Sequence, residues 1–198
     1  MTILGGDDRY YNNIFTGTLP DNLPKEKYID TGVWTHIDVK YAGDGSIPQG
    51  LSVYDECPAA GDRWQEGLVS VDQFADVRLP MACGSNLYFH DARPFSKESD
   101  SLTLPDQKAR VELVEENGAI HLVCDFGGKT SDVNTVVVTT DILGIAFEPE
   151  LPYENPDGTP LCIERDFFGN PRPAGCMTVG PLQGVGSGTH RIKLVDIR

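Results

Sequence analysis

Two adjacent aspartates, Asp7 and Asp8, followed by Arg9, are the first residues of the chain whose types could do chemistry. Paired carboxyls split glycosidic bonds: about 5–5.5 Å apart they suit a retaining reaction, about 6.5–9.5 Å apart an inverting one. Neighbours on an extended strand point to opposite faces, so this pair lines one cleft only if a turn intervenes. Gly5-Gly6 is placed to supply one. The plainer reading is a polar turn with one carboxylate held by Arg9. Asp55-Glu56 and Glu115-Glu116 fail the same adjacency test, and the second pair flanks a turn, where solvated charge is usual. Trp34, near His36, Asp38 and Asp44, offers an indole that either stacks on a sugar face or packs in the core. Trp64, in the polar stretch AAGDRWQEG, is the better exposed aromatic. The candidate substrate-binding residues are therefore Asp7, Asp8, Arg9, Trp34 and Trp64, and no residue is assigned as catalytic.

Other chemistries lack their residue patterns. His36, His90, His121 and His190 stand singly, without HxH or HExxH spacing, so no metal site is expected. No GxSxG elbow is present. The stretch GVGSG (184–188) lacks the lysine and the strand-to-helix context of a phosphate loop. No cysteine sits at a helix start or beside basic residues that would activate it. No cofactor is expected. Five cysteines, an odd number without a CxxC pair, argue against a disulfide framework. Cys124 and Cys162, in apolar runs, read as buried thiols acting as small hydrophobes.

Net charge is −14. A surface this acidic repels phosphate backbones and anionic lipid, which excludes nucleic acid and membrane as partners but not a neutral sugar. MTILGG contains neither a basic region nor an apolar stretch of leader length, so the expected setting is cytoplasmic. Nothing approaches the roughly 18 apolar residues of a membrane span.

The elements that must carry these residues are strands. Twenty-one Gly and fourteen Pro punctuate the chain too often for long helices. The candidate RWQEGLVSVDQFADVRL breaks at Gly67. The clearest pattern is ARVELVEENGAIHLVCDF (109–126), where Asn117-Gly118 is a strong two-residue hairpin signal. Closing there sets Leu113 opposite Leu122, Val111 opposite Cys124 and Ala109 opposite Phe126, so that one face is wholly apolar. On the other face Arg110 meets Asp125 in a cross-strand ion pair, and His121 faces Val114. Further strands are expected at 33–39, 50–55, 135–143, 160–164 and 191–197, with a tight turn at NPDGTP (155–160). Residues 20–27 and 93–107 read as surface loops, and 184–188 as a flexible connector. No linker divides the chain, so one β-rich domain over 1–198 is expected.

RYYNNIF and CGSNLYFHD (83–91) each place Asn ahead of alternating apolar and aromatic residues. Such an echo suggests solenoid coils whose turn asparagines stack and satisfy neighbouring backbone groups. The alternative is two unrelated turns before two strands.

GGDDRYYNNIF, GLSVYD, GSNLYFHDARP, VTTDILG, LPYENPDGTPL and DFFGNPRPAG, in this order, give the chain a resemblance. It resembles the C-terminal part of bacterial right-handed parallel β-helix proteins related to the β-xylosidases of glycoside hydrolase family 120. The resemblance implies an all-β fold: terminal coils of a right-handed parallel β-helix extended by antiparallel hairpins, with a β-sandwich as the alternative. It also implies that the catalytic aspartate and glutamate belong to coils upstream of RYYNNIF, so that this chain alone would be an inactive fragment. The expected partner is an oligosaccharide or xyloside of plant type, together with self-association or docking to an upstream β-helix portion. The competing reading is a stand-alone, non-catalytic β domain for glycan binding or subunit interaction.

Overall fold

The computed structural model describes residues 7–17, 49–55, 57–59, 79–147 and 149–197. The expected strand at 33–39, the loop at 20–27 and the segment around Trp64 lie outside the described residues. The described residues are all-β: coils of a parallel β-helix carrying an antiparallel hairpin layer.

Strands β1 (Arg9–Tyr11), β2 (Ile14–Gly17) and β3 (Gln49–Gly50) make one coil. Strands β4 (Ala82–Gly84), β5 (Leu87–His90) and β6 (Ala92–Arg93) make the next. Each rung pairs in parallel with its counterpart: Arg9 with Ala82, Ile14 with Leu87, Gln49 with Ala92. A third rung, β7 (Leu102–Leu104), pairs in parallel with β5 and is preceded by a bridge from Ser99 to Gly84. The two Asn-bearing segments are thus equivalent positions of successive coils. The corner between the first two strands is made each time by a left-handed residue, Asn12 at φ 57° and Ser85 at φ 58°.

The two faces of the middle sheet, β2-β5-β7, enter different cores, as parallel sheets covered on both sides do. Phe15 and Tyr88 point into the bore, where their rings stack 5.0 Å apart at 9°. Leu51, Met81, Ala92 and Phe95 fill the bore around them. Leu87 and Phe89 point outward and meet Cys124, Phe126, Val179 and Leu182 in a second core. This second core joins the coils to a three-stranded antiparallel sheet ordered β12-β9-β8. Its strands are β8 (Arg110–Glu116), β9 (Ala119–Asp125) and β12 (His190–Asp196). The hairpin layer therefore covers the flank of the coils, and none of its residues belongs to the bore cluster.

The β8–β9 hairpin has the register its sequence predicts: Leu113 faces Leu122, Val111 faces Cys124, and Val114 faces His121. Asn117 and Gly118 take the positive φ of the turn, 53° and 72°. The ion pair differs. Arg110 faces Asp125 in register but binds Glu112 on its own strand through two 3.0 Å contacts. Asp125 instead accepts from the backbone N–H of Gly127 at 2.9 Å, which closes the following turn.

Other expectations are corrected. Residues 51–54 form a 3-10 turn rather than continuing a strand, with Asp55 N–H bonded to Ser52 O. The supposed loop at 93–107 contains β7. The run at 135–143 is strand only at β10 (Val138–Thr139) and then turns into α1 (Thr140–Leu143). Thr139 Oγ1 accepts from Ile142 N and so caps this helix. Thr140 Oγ1 ties its first residue to Tyr153 O at 2.6 Å and to Leu161 N at 2.7 Å. Cys162 lies on the short strand β11 (Cys162–Ile163), paired with β10, and is exposed rather than buried. The connector at 184–188 is pinned by buried Val185, whose carbonyl accepts from Thr130 Oγ1 at 2.6 Å. No described helix is long and apolar enough to cross a membrane.

Candidate functional site

The first candidates sit on strand β1 and on the two residues before it, of which Asp7 is in the left-handed region at φ 60°. Asp7, Arg9, Tyr11 and the corner residue Asn12 hold an outer segment, residues 136–147, that runs alongside the strand. Arg9 donates from Nε to Leu143 O at 2.9 Å and from Nη2 to Ile145 O at 3.3 Å, and its guanidinium lies over the Tyr153 ring. Asp7 accepts the backbone N–H of Phe147 at 2.7 Å and the Tyr153 hydroxyl at 3.4 Å. Asp7 Oδ1 is 2.7 Å from Arg9 Nη1, but off the N–H axis, so the contact is an ion pair rather than a directed hydrogen bond. Tyr11 reaches Ile142 O, and Asn12 bonds Val136 through both ends of its amide.

Tyr10 packs in the bore, and its hydroxyl lies 3.1 Å from that of Tyr54. Asp8 also engages Tyr54. The hydrogen bond to Tyr10, burial and the charge of Asp8 all push the Tyr54 hydroxyl well above the usual phenol range. Asp7, Asp8 and Arg9 are therefore neighbours: all three act on Tyr153, Asp8 acts on Tyr54 as well, and Asp7 and Arg9 are bound to the protein's own groups. Trp34 and Trp64 lie outside the described residues.

One coil further on, Glu98 joins the interior. Its Oε1 accepts from Asn86 Nδ2 at 2.7 Å and its Oε2 from the Tyr88 hydroxyl at 2.5 Å. Burial, then Glu98, raises Tyr88. The same two causes push the Cys83 thiol up to about 12. A thiol held protonated in this way is no nucleophile at neutral pH.

A cavity of about 520 Å³ opens where the corner of the first coil faces the hairpin layer, lined by Asn12, Ile14, Val111, Phe126, Ile163 and Arg172 among others. Arg172 is buried, with 8% of its surface exposed. Its Nη2 donates to the carbonyls of Thr178 and Gly180. Its Nε has no hydrogen-bond partner among the described residues. Burial lowers the Arg172 pKa, against the opposing pull of Asp166. Asp166 is fully engaged: Oδ1 accepts from Phe168 N and Asn170 N, Oδ2 from Asn170 Nδ2 and Gln183 N. Burial opposes its ionisation, but these bonds prevail and hold its carboxyl at about 2.

Tyr54, Glu98, Tyr153 and Arg172 were not among the sequence candidates. Glu98 is in the stretch read as a surface loop, and Tyr54 in one read as strand. Arg172 is in NPRPAG, where nothing in the pattern marks burial. No group of three or more His, Cys, Asp or Glu side chains gathers as a cation site among the described residues.

The chain matches no protein-family model and no curated protein. It is similar to a solved structure described as the complex of XylC with xylose, with a TM-score of 0.70 and 24% identity. The match covers 96% of this chain but 26% of that one, so the chain spans about a quarter of the length of XylC and shares the fold of that part.

Proposed function

We propose that the chain is the C-terminal β-helix portion of a β-xylosidase-like glycoside hydrolase acting on plant-type oligosaccharides. Its own coils would position a sugar cleft rather than cleave the substrate. The observation that supports this best is the XylC-like fold across nearly the whole chain, in a protein solved with xylose. The state of the β1 carboxyls supports the non-catalytic part. Asp7 is paired with Arg9 and bonded to the backbone N–H of Phe147, and Asp8 acts on both Tyr54 and Tyr153. Asp7, held in this way, is not free to flank a glycosidic bond. In this reading Asp8, Trp34 and Trp64 contribute to the sugar surface, while Asp7 and Arg9 hold the wall behind it.

Among the described residues β1, β2 and β3 each pair on one side only. A rung edge of this kind accepts a further strand. We propose it as the place where another β-helix coil, or a second copy, would dock.

The test is hydrolysis of a chromogenic β-xyloside by the purified chain. No turnover above background is expected. Turnover that Asp7→Asn or Asp8→Asn abolishes would overturn the non-catalytic assignment. Saturable binding of xylobiose without turnover would support a sugar-lining role, and its absence would remove that role.

A further inference from the structure

We propose that the cavity beside Arg172 binds a small monocarboxylate with an apolar ring or branched chain. This does not depend on the glycosidase reading. Arg172 is more than nine-tenths buried, and its direct hydrogen bonds go to two carbonyl oxygens, not to a carboxylate. Asp166 acts on it from a distance, but both Asp166 oxygens are taken by other donors. A buried guanidinium without a direct counter-ion is costly, and its Nε–H remains without a partner among the described residues.

The cavity supplies the rest. Arg172 lines it, and the remaining wall is largely apolar, with Ile14, Leu122, Phe126 and Val138 among its side chains. Its volume of about 520 Å³ is that of a small-molecule site. Val111 and Ile163 at its border are about half exposed, which leaves access from solvent. One carboxylate would answer the guanidinium, and one apolar body would answer the wall. The net charge of −14 repels polyanions at a distance, which favours a monoanion over a polyphosphate. A neutral sugar matches neither the charge nor the wall.

The experiment is calorimetric titration of the full chain with sodium benzoate, against benzamide as the neutral analogue of the same shape and xylose as the neutral sugar. Benzoate should bind saturably at one site, and benzamide at least about tenfold more weakly, since the bond to Arg172 is charge-assisted. Arg172→Met should weaken benzoate by at least about tenfold and leave benzamide unchanged. Because Arg172→Met also strips two buried carbonyls of their donor and risks unfolding, Val111→Trp at the exposed border serves as a second variant. It narrows the cavity without touching the guanidinium and should weaken benzoate. Equal binding of benzoate and benzamide, no saturation by benzoate at tens of millimolar, or benzoate binding unchanged in Val111→Trp would each overturn the proposal.

Discussion

Asn86 Oδ1 accepts from both the backbone N–H and the side-chain Nδ2 of Asn13, at 2.7 and 3.2 Å, joining one coil corner to the next. Asn86 has no exposed surface, and its Nδ2 donates to Tyr10 O at 2.9 Å and to Glu98. Every hydrogen-bonding atom of the amide is thus in use inside the stack. Asn86→Ala would strand an N–H, a carbonyl and a carboxylate oxygen, at a cost of roughly 2–4 kcal/mol. Asn86→Asp keeps the acceptor for Asn13 but sets a second negative charge against Glu98, so it should not restore stability. Urea denaturation of both variants is the measurement, and losses under about 0.5 kcal/mol would show that the corner does not depend on this amide.

The close approach of the first two coils rests on Gly17. A Cβ there would lie 1.9 Å from the backbone nitrogen of Ala92, which neighbouring side chains cannot relieve. Gly17→Ala should therefore cost at least about 2 kcal/mol, although alanine normally suits a strand better than glycine. A thermal melt within a degree of the parent would contradict that approach.

The hairpin is legible in the sequence and the coils are much less so. The β8–β9 register followed from local signals, the Asn-Gly turn and alternating apolar residues, because the two strands are adjacent in the chain. The coils pair residues far apart, as Ile14 with Leu87, and the long segment between them hides the repeat from any fixed period. Only the corner asparagines betrayed it. Leu102-Thr103-Leu104 is too short to announce a strand and becomes one because Leu87 and Phe89 of β5 need a parallel neighbour. The candidate site was legible to the extent that one carboxylate of the pair, Asp7, is held by Arg9. Arg172 was not legible, because its burial comes from the carbonyls of Thr178 and Gly180, which its own stretch of sequence does not specify.

Alkaline pH should weaken the bore. The Cys83 thiol has an ordinary pKa of 9.0 and is pushed up to about 12 in the folded chain by burial and Glu98. The folded state therefore keeps a proton that the unfolded state gives up. The contribution is complete below about pH 9 and is lost as pH rises toward 12. Tyr54 and Tyr88 shift in the same direction and add to the loss above about pH 10. The urea midpoint should fall steadily from about pH 9 upward, and Cys83→Ala should flatten the first part of that fall. A midpoint independent of pH up to about 11 would refute the assignment.

Thiol labelling reads the same interior from outside. Cys162 and Cys176 are exposed, Cys57 and Cys124 are buried, and Cys83 is held protonated. A disulfide reagent at neutral pH should modify two thiols quickly in the folded chain and all five in guanidinium. Rapid modification of Cys83 in the native state would place Glu98 and the Tyr88 hydroxyl elsewhere than described.

The apolar face of the hairpin is unequally covered, and this separates two leucines that the sequence treats alike. Leu113 and Leu122 are cross-strand partners, yet Leu113 on edge strand β8 is 70% exposed while Leu122 packs on the second core. β9 lies between β8 and β12, so only the inner part of the ribbon reaches the coils. Leu113→Ser should therefore change stability by less than about 0.5 kcal/mol. Leu122→Ala should cost roughly 1–3 kcal/mol, because it removes contacts with the second core and enlarges the cavity beside it. If Leu113→Ser proves as costly as Leu122→Ala, the outer strand is covered in solution by another molecule. Stability would then rise with protein concentration, and light scattering would report a species larger than one chain.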